Sequence, residues 1–172
     1  MRLFIALQFD DDITDELVYF QDMLKEQGVT GRFTSRENIH LTLAFIGEYS
    51  DPDKVLDVME AADLRPFDLS LKGVGTFGNV FWAGIADNPP LAAYVRRLRH
   101  GLADAGIPFD KKKFSPHVTL VRDISYNNGE KIPVPDPPKG TMTVSGISLM
   151  RSDRGKHGMI YTEIGYAGSG DV

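Results

Sequence analysis

The sequence predicts an α+β fold of largely antiparallel sheets with helices packed on their outer faces. Three observations carry this. Extended and helical segments follow a mixed order, not strict alternation. No glycine-rich dinucleotide fingerprint follows a strand. One tetrapeptide pattern also occurs twice, each time inside an apolar strand. A chain of 172 residues fits one domain, or two small similar lobes sharing a core.

The elements follow in order. Arg2 to Phe9 reads as a strand, and Ile13, Leu17, Phe20 and Leu24 form the apolar stripe of an amphipathic helix. Acidic residues crowd its first turn, where the helix dipole favours them, and Gly28 supplies a stop. Ile39 to Ile46 is a compact apolar strand closed by Gly47. Asp51-Pro52 is an N-cap followed by proline at the first helical position, opening a helix to Ala62. Phe67 to Lys72 and Val80 to Ala86 form a hairpin across a glycine-rich turn. Asn88-Pro89 opens a third helix, whose Leu91, Val95, Leu98 and Leu102 repeat the spacing of the first. Pro116 to Ile124 is a strand, and residues 125–140, proline-rich and containing Asn127-Asn128-Gly129, read as a loop. Strands at Thr141 to Met150 and Met159 to Ile164 close a single domain over residues 1–166, and 167–172 are expected to be a disordered tail.

Composition narrows the function. An apolar share of 42% and a charged share of 25% are those of an ordinary globular protein. The chain has no cysteine, which excludes disulfides, thiolate catalysis and cysteine-bound metal. Its opening, Met1 to Asp12, turns acidic too soon for a secretory core or a membrane span, so a cytoplasmic protein is expected. A net charge of −5 argues against broad coating of nucleic acid. Basic residues are clustered nonetheless, at Arg96–His100, Lys111–Lys113 and Arg151–His157. Each cluster alone reads as a solvated face. Together, on an acidic chain, they suit a small phosphate ligand or an RNA end better than a long duplex.

The repeat carries the chemistry. His40-Leu41-Thr42-Leu43 recurs as His117-Val118-Thr119-Leu120. Successive strand side chains point to opposite faces, so each strand offers an imidazole and a hydroxyl on one face, roughly 6–7 Å apart, with the aliphatic pair in the core. If the copies come from related halves packed about a pseudo-twofold axis, two histidines and two threonines converge on one groove. One neutral histidine then takes a proton from water and the other, as imidazolium, protonates a leaving oxygen. The threonine hydroxyls donate to non-bridging phosphate oxygens. This chemistry needs no metal or other cofactor. A lone strand histidine is usually structural, and it is the pairing of two matching strands that outweighs that reading. His100 and His157 have no such partner and read as solvent-exposed.

Here the chain resembles the two-histidine (2H) phosphoesterases, and within them the LigT-like RNA 2′,3′-cyclic phosphodiesterases, also called 2′-5′ RNA ligases. The resemblance runs through Arg2–Leu7, Glu37–Glu48, Phe81–Gly84, Phe114–Arg122 and Leu149–Ser152. It implies a bilobal fold of two antiparallel sheets around a central groove, helices outside, and hydrolysis of a 2′,3′-cyclic phosphate to a 2′-phosphomonoester. The partners implied are RNA ends or nucleoside 2′,3′-cyclic phosphates, with no membrane, and a monomer is expected. His40 and His117 match the family's catalytic residues, Thr42 and Thr119 its phosphate-binding threonines, and Arg122 a phosphate-contacting arginine. Simple alternation puts Arg122 on the face opposite His117, so it reaches the groove only through a twist, a bulge or a strand end. The resemblance also makes His40 the acid and His117 the base, and an Arg122 cation beside His117 would favour its neutral form. One departure is the ending Met159–Tyr166, which lacks the family's usual tryptophan and proline. Phe9, Phe45 and Phe77 read as core, not as base-stacking residues. Besides hydrolysis, the pattern admits the reverse 2′-5′ ligation, action on a small nucleotide, or a nucleotide- or RNA-binding module without turnover. Binding alone would not require two proton-transfer groups.

Overall fold

A computed structural model describes residues 1–126 and 134–169. The elements run β1 (Arg2–Leu7), α1 (Asp11–Glu26), β2 (Val29–Phe33), a 3-10 turn (Arg36–Asn38), β3 (Leu41–Glu48) and α2 (Pro52–Ala61). They continue with β4 (Phe67–Phe77), β5 (Val80–Ile85), α3 (Pro89–Asp104), β6 (His117–Tyr126), β7 (Thr141–Val144), β8 (Gly146–Gly155) and β9 (Gly158–Gly168). Two sheets form, ordered β3-β1-β8-β9 and β2-β6-β5-β4-β7, and every pairing is antiparallel. Setting β3-β1-β8-β9 against β6-β5-β4-β7 matches the two histidine strands, β1 with β5 and α1 with α3. Strand β2 is an addition outside β6.

Each helix starts at a side-chain cap, and two of the three, Asp51 and Asn88, stand where the sequence opens a helix. Asp10, Asp51 and Asn88 accept from Ile13, Lys54 and Leu91 N–H at 2.9, 3.2 and 3.1 Å. The apolar stripes then interlock the halves. Ile13, Leu17, Phe20 and Leu24 of α1 pack with Phe81, Val118 and Leu120 of the second sheet. Leu91, Val95, Leu98 and Leu102 of α3 pack with Leu3, Ile5, Leu41 and Leu43 of the first. Each helix therefore covers the sheet that holds the other half's histidine strand.

Four local expectations change. Val29–Phe33, unassigned from sequence because Gly31 interrupts a short polar run, is an edge strand on β6. At Gly31 (φ +150°) a Cβ would stand 2.7 Å from the Arg122 carbonyl oxygen, so glycine permits that close approach. The strand expected over 141–150 divides at Ser145 into β7 and β8, which belong to different sheets. The last strand runs past Ile164 to Gly168, with Ala167 buried and Gly168 paired to Gly146, so residues 167 and 168 are not a loose tail. Within the 96–100 cluster, Arg97 and Arg99 are structural: they donate to Ala62 O at 3.0 Å and Leu43 O at 3.1 Å. The Asn127-Asn128-Gly129 turn and residues 170–172 lie outside the described residues.

Candidate active site

Both histidine strands carry an irregularity at the same motif position. In the β1–β3 ladder Ile5 faces Ala44 and Ala6 faces Thr42, leaving Leu43 extra. In the β5–β6 ladder Phe81 faces Val121 and Trp82 faces Thr119, leaving Leu120 extra. Each is a β-bulge, and each puts two consecutive residues into the core: Leu43 with Ala44, and Leu120 with Val121. The parity of the strand flips there. Phe45 and Arg122 therefore return to the face that holds the motif histidine and threonine, which simple alternation denies them.

At each bulge a helix side chain meets the carbonyl of the extra residue. Gln21 of α1, 4% exposed, donates through Nε2 to Leu120 O and Thr34 O, both at 2.9 Å. Thr34 N–H also donates to Leu120 O at 2.9 Å, and its hydroxyl to Thr119 O at 3.1 Å. In the other half, Arg99 of α3 donates through Nη2 to Leu43 O at 3.1 Å. Counted from the start of their 16-residue helices, Gln21 and Arg99 hold the same position. The two halves thus fix the same distortion with different chemistry.

The concave faces of both sheets line a cavity of about 510 Å³ that contains His40, Thr42, His117, Thr119 and Arg122. The five residues singled out from sequence are brought together. His40 Nδ1 lies 2.6 Å from Asn38 O, and His117 Nδ1 lies 2.8 Å from Ser115 O. A carbonyl only accepts, so both Nδ1 atoms carry hydrogen and donate, which leaves each Nε2 as the working nitrogen. His40 Nε2 is 2.9 Å from the Thr42 hydroxyl, which donates to it when the ring is neutral. Aromatic rings brace the imidazoles: Phe4 and Tyr161 stand 5.1 and 5.4 Å from His40, and Phe77 and Trp82 stand 5.1 and 6.3 Å from His117.

The electrostatics are asymmetric. Burial holds His40 below the usual histidine pKa, its bond to Asn38 opposes this, and the charges of Arg122 and His117 lower it further. Simple alternation keeps the Arg122 cation out of the groove, and its expected influence was on His117. The bulge brings it where it acts on His40, so its charge is no ground for making His117 the base. No carboxylate lines the cavity. Among the described residues there is no group of three or more histidine, cysteine, aspartate or glutamate side chains that could hold a metal ion.

Several lining residues were not singled out from sequence: Arg32 and Thr34 from β2 and its exit, Asn38 from the 3-10 turn, Phe4 from β1, and Met159 and Tyr161 from β9. No hydropathy alternation flags Phe4 or Tyr161, because β1 is apolar throughout after Arg2 and β9 opens Gly158-Met159-Ile160-Tyr161. The β2 contribution was hidden with its strand. Phe45 lines the cavity, and Phe77 is 48% exposed beside His117, so neither is a core residue, whereas Phe9 packs against both cores. His100 and His157 are exposed, as expected.

Comparison with known proteins matches residues 23–156 to the model of the 2′-5′ RNA ligase superfamily. The chain is 29% identical to an RNA 2′,3′-cyclic phosphodiesterase of Methanocaldococcus jannaschii, over 95% of this chain and 98% of that protein. It is 31% identical to an RNA 2′,3′-cyclic phosphodiesterase of Escherichia coli K12, over 79% and 77%. The crystal structure of E. coli LigT in apo form superposes with a TM-score of 0.82 at 28% identity, covering 97% of this chain and 96% of that one.

Proposed function

The chain belongs to the 2′-5′ RNA ligase superfamily, and on that premise we propose that it hydrolyses RNA 2′,3′-cyclic phosphodiester ends to 2′-phosphomonoesters by acid–base catalysis between two histidines. One observation carries the reading. Two imidazoles, each oriented through Nδ1 by a carbonyl two residues earlier, share one cavity with an arginine and no carboxylate. Water attacks phosphorus in line with O3′, the P–O3′ bond breaks, and O2′ keeps the phosphate. One imidazole takes the proton from water and the other delivers one to O3′. Thr42, Thr119 and Arg122 hold the non-bridging oxygens, where charge accumulates. The sequence relatives are named for this activity, and LigT has also been crystallised with 3′-AMP.

His40 serves as the acid and His117 as the base. The assignment follows the family resemblance, and the electrostatics around His40 are compatible with it. Burial and Arg122 make a protonated His40 a stronger acid, and the anionic phosphate supports its protonation when substrate binds. The site is complete within one chain, and we read the enzyme as a cytoplasmic monomer. No helix among the described residues is long and apolar enough to cross a membrane.

The test is turnover of nucleoside 2′,3′-cyclic phosphates with identification of the product isomer. His40→Ala and His117→Ala should each abolish it, and normal turnover in either variant would refute the mechanism. A substrate whose leaving 3′-oxygen is replaced by sulfur needs little protonation. On it His40→Ala should recover most of its lost rate and His117→Ala should not. The opposite pattern would reverse the roles.

A further inference from the structure

A second charge feature lies on the first sheet. Arg2 stands opposite Ser152 in the β1–β8 ladder, so Arg154, two residues along the same face, is its diagonal neighbour. Both arginines line the cavity with Ser152 between them. Neither belongs to an ion pair among the described residues. Glu48, across from Arg2 on β3, is held by the Met1 ammonium at 3.2 Å. The Arg2 guanidinium instead lies over the Phe45 ring, 5.2 Å from its centroid, and Phe45 reaches that face only because of the β3 bulge.

This pair differs from the arginines of the second sheet. Arg32 and Arg122 face each other across β2 and β6. Arg32 is bound to Asp123 at 2.6 Å, and Arg122 acts on His40. Arg2 and Arg154 come from β1 and β8, not from the histidine strands, and share the cavity with them. Two uncompensated guanidinium groups in a cavity without carboxylates, on a chain of net charge −5, form a local anion site against the charge of the whole molecule. The planar guanidinium fork matches phosphate oxygens.

We propose that Arg2 and Arg154 form a second phosphate subsite, which takes the phosphate 5′ to the cyclic end and so selects the end of an RNA strand over a lone cyclic nucleotide. The inference rests on the hydrolytic reading above. The shared chemistry is a phosphate one nucleoside away from the reacting phosphorus, whether a chain diester or a 5′-monoester.

Three substrates separate the cases: a nucleoside 2′,3′-cyclic phosphate with a free 5′-hydroxyl, the same with a 5′-phosphate, and a dinucleotide ending in a 2′,3′-cyclic phosphate. In the wild type, kcat/KM should favour the dinucleotide over the free nucleoside form by roughly tenfold, the sum expected of two exposed charge pairs. Its salt dependence should be steeper by about 0.7 in the log–log slope for the added phosphate. In the Arg2→Gln/Arg154→Gln variant, with its fold checked by circular dichroism, both differences should vanish while the free nucleoside form is turned over as before. A 5′-monoester that matches the dinucleotide identifies the phosphate alone as the ligand, and one that does not identifies the diester. Either supports the subsite. A variant that keeps the wild-type preference, or slows all three substrates equally, overturns it.

Fluorescence anisotropy with a labelled short RNA bearing a 2′-phosphate at its 3′ end reads the subsite without turnover. Binding should weaken roughly tenfold in the variant. If the wild type turns over none of the substrates but the variant still loses this affinity, the hydrolytic reading fails and the subsite stands. Unchanged affinity removes the subsite.

Discussion

Replacing Gln21 by methionine should damage the site from a distance. The methionine side chain keeps the volume and removes the amide that donates to Leu120 O and Thr34 O. Gln21 is buried, and the variant loses both of its hydrogen bonds, while Leu120 O keeps its bond from Thr34 N–H. At about 0.5–1.5 kcal/mol each, the loss is about 1–3 kcal/mol. For a domain of this size that lowers Tm by roughly 2–12 °C. A catalytic effect of comparable size should accompany it. Leu120 is the extra residue of the bulge, with Thr119 on one side and Val121 and Arg122 on the other. A misplacement of about 1 Å at such a site costs roughly 10²-fold in rate. The assay pairs thermal denaturation with kcat on a nucleoside 2′,3′-cyclic phosphate, measured well below the lowered Tm. A variant that loses stability in this range yet keeps wild-type kcat would show that the strand holds its bulge unaided. The matching change, Arg99→Met, should act on the first strand through Leu43 O.

Three further outcomes follow from the site. Arg122→Gln removes a cation that lowers the His40 pKa, so His40 should titrate at higher pH by imidazole NMR, and turnover should fall roughly 10- to 150-fold because a charge-assisted hydrogen bond to the phosphate is removed. The sign for stability follows: a histidine lowered below its unfolded value of about 6.5 contributes stability above that pH and loses it as pH falls through the folded pKa, a window that Arg122→Gln should narrow. Thr42→Ala and Thr119→Ala should each slow turnover, by up to about 10²–10³-fold but by less than loss of either histidine; wild-type rates would make both hydroxyls mere strand positions. A chelator should leave turnover unchanged, since the groove is lined by histidine, hydroxyl and guanidinium groups, not carboxylates; collapse with chelator and rescue by a divalent ion would reject the acid–base scheme.

Periodicity and caps made the helices legible, because stripes such as Leu91, Val95, Leu98 and Leu102 and the Asp51-Pro52 cap are local signals. The histidine pair was legible because it is repeated. Features that depend on pairing were not. A β-bulge exists only in a ladder, and Leu43-Ala44 and Leu120-Val121 read simply as apolar strand. Simple alternation therefore put Arg122 on the wrong face, whereas it lines the cavity. Strand β2 is short and holds a glycine, and its edge position becomes visible only once β6 is beside it. The split at Ser145 is likewise a matter of partners, since β7 pairs with β4 and β8 with β1.

The departures from twofold symmetry fall at equivalent positions. The first residue restored to the groove after each bulge is Phe45 in one half and Arg122 in the other. The side chain that meets the bulge carbonyl is Arg99 in the first half and Gln21 in the second. In an exact duplicate the two histidines would have the same surroundings, and although their mutual repulsion favours one proton over two, nothing would decide which ring carries it. In-line hydrolysis needs one imidazole neutral and one protonated at the same moment. Replacing the phenylalanine position of one half by arginine in the other places a cation on one side of the pair only, where it acts on His40 across the groove. The duplicated scaffold thus supplies two like proton-transfer groups, and the residue after the bulge makes them unlike: it favours a neutral His40 in the free enzyme and makes His40 the readier proton donor once bound phosphate has drawn a proton onto it.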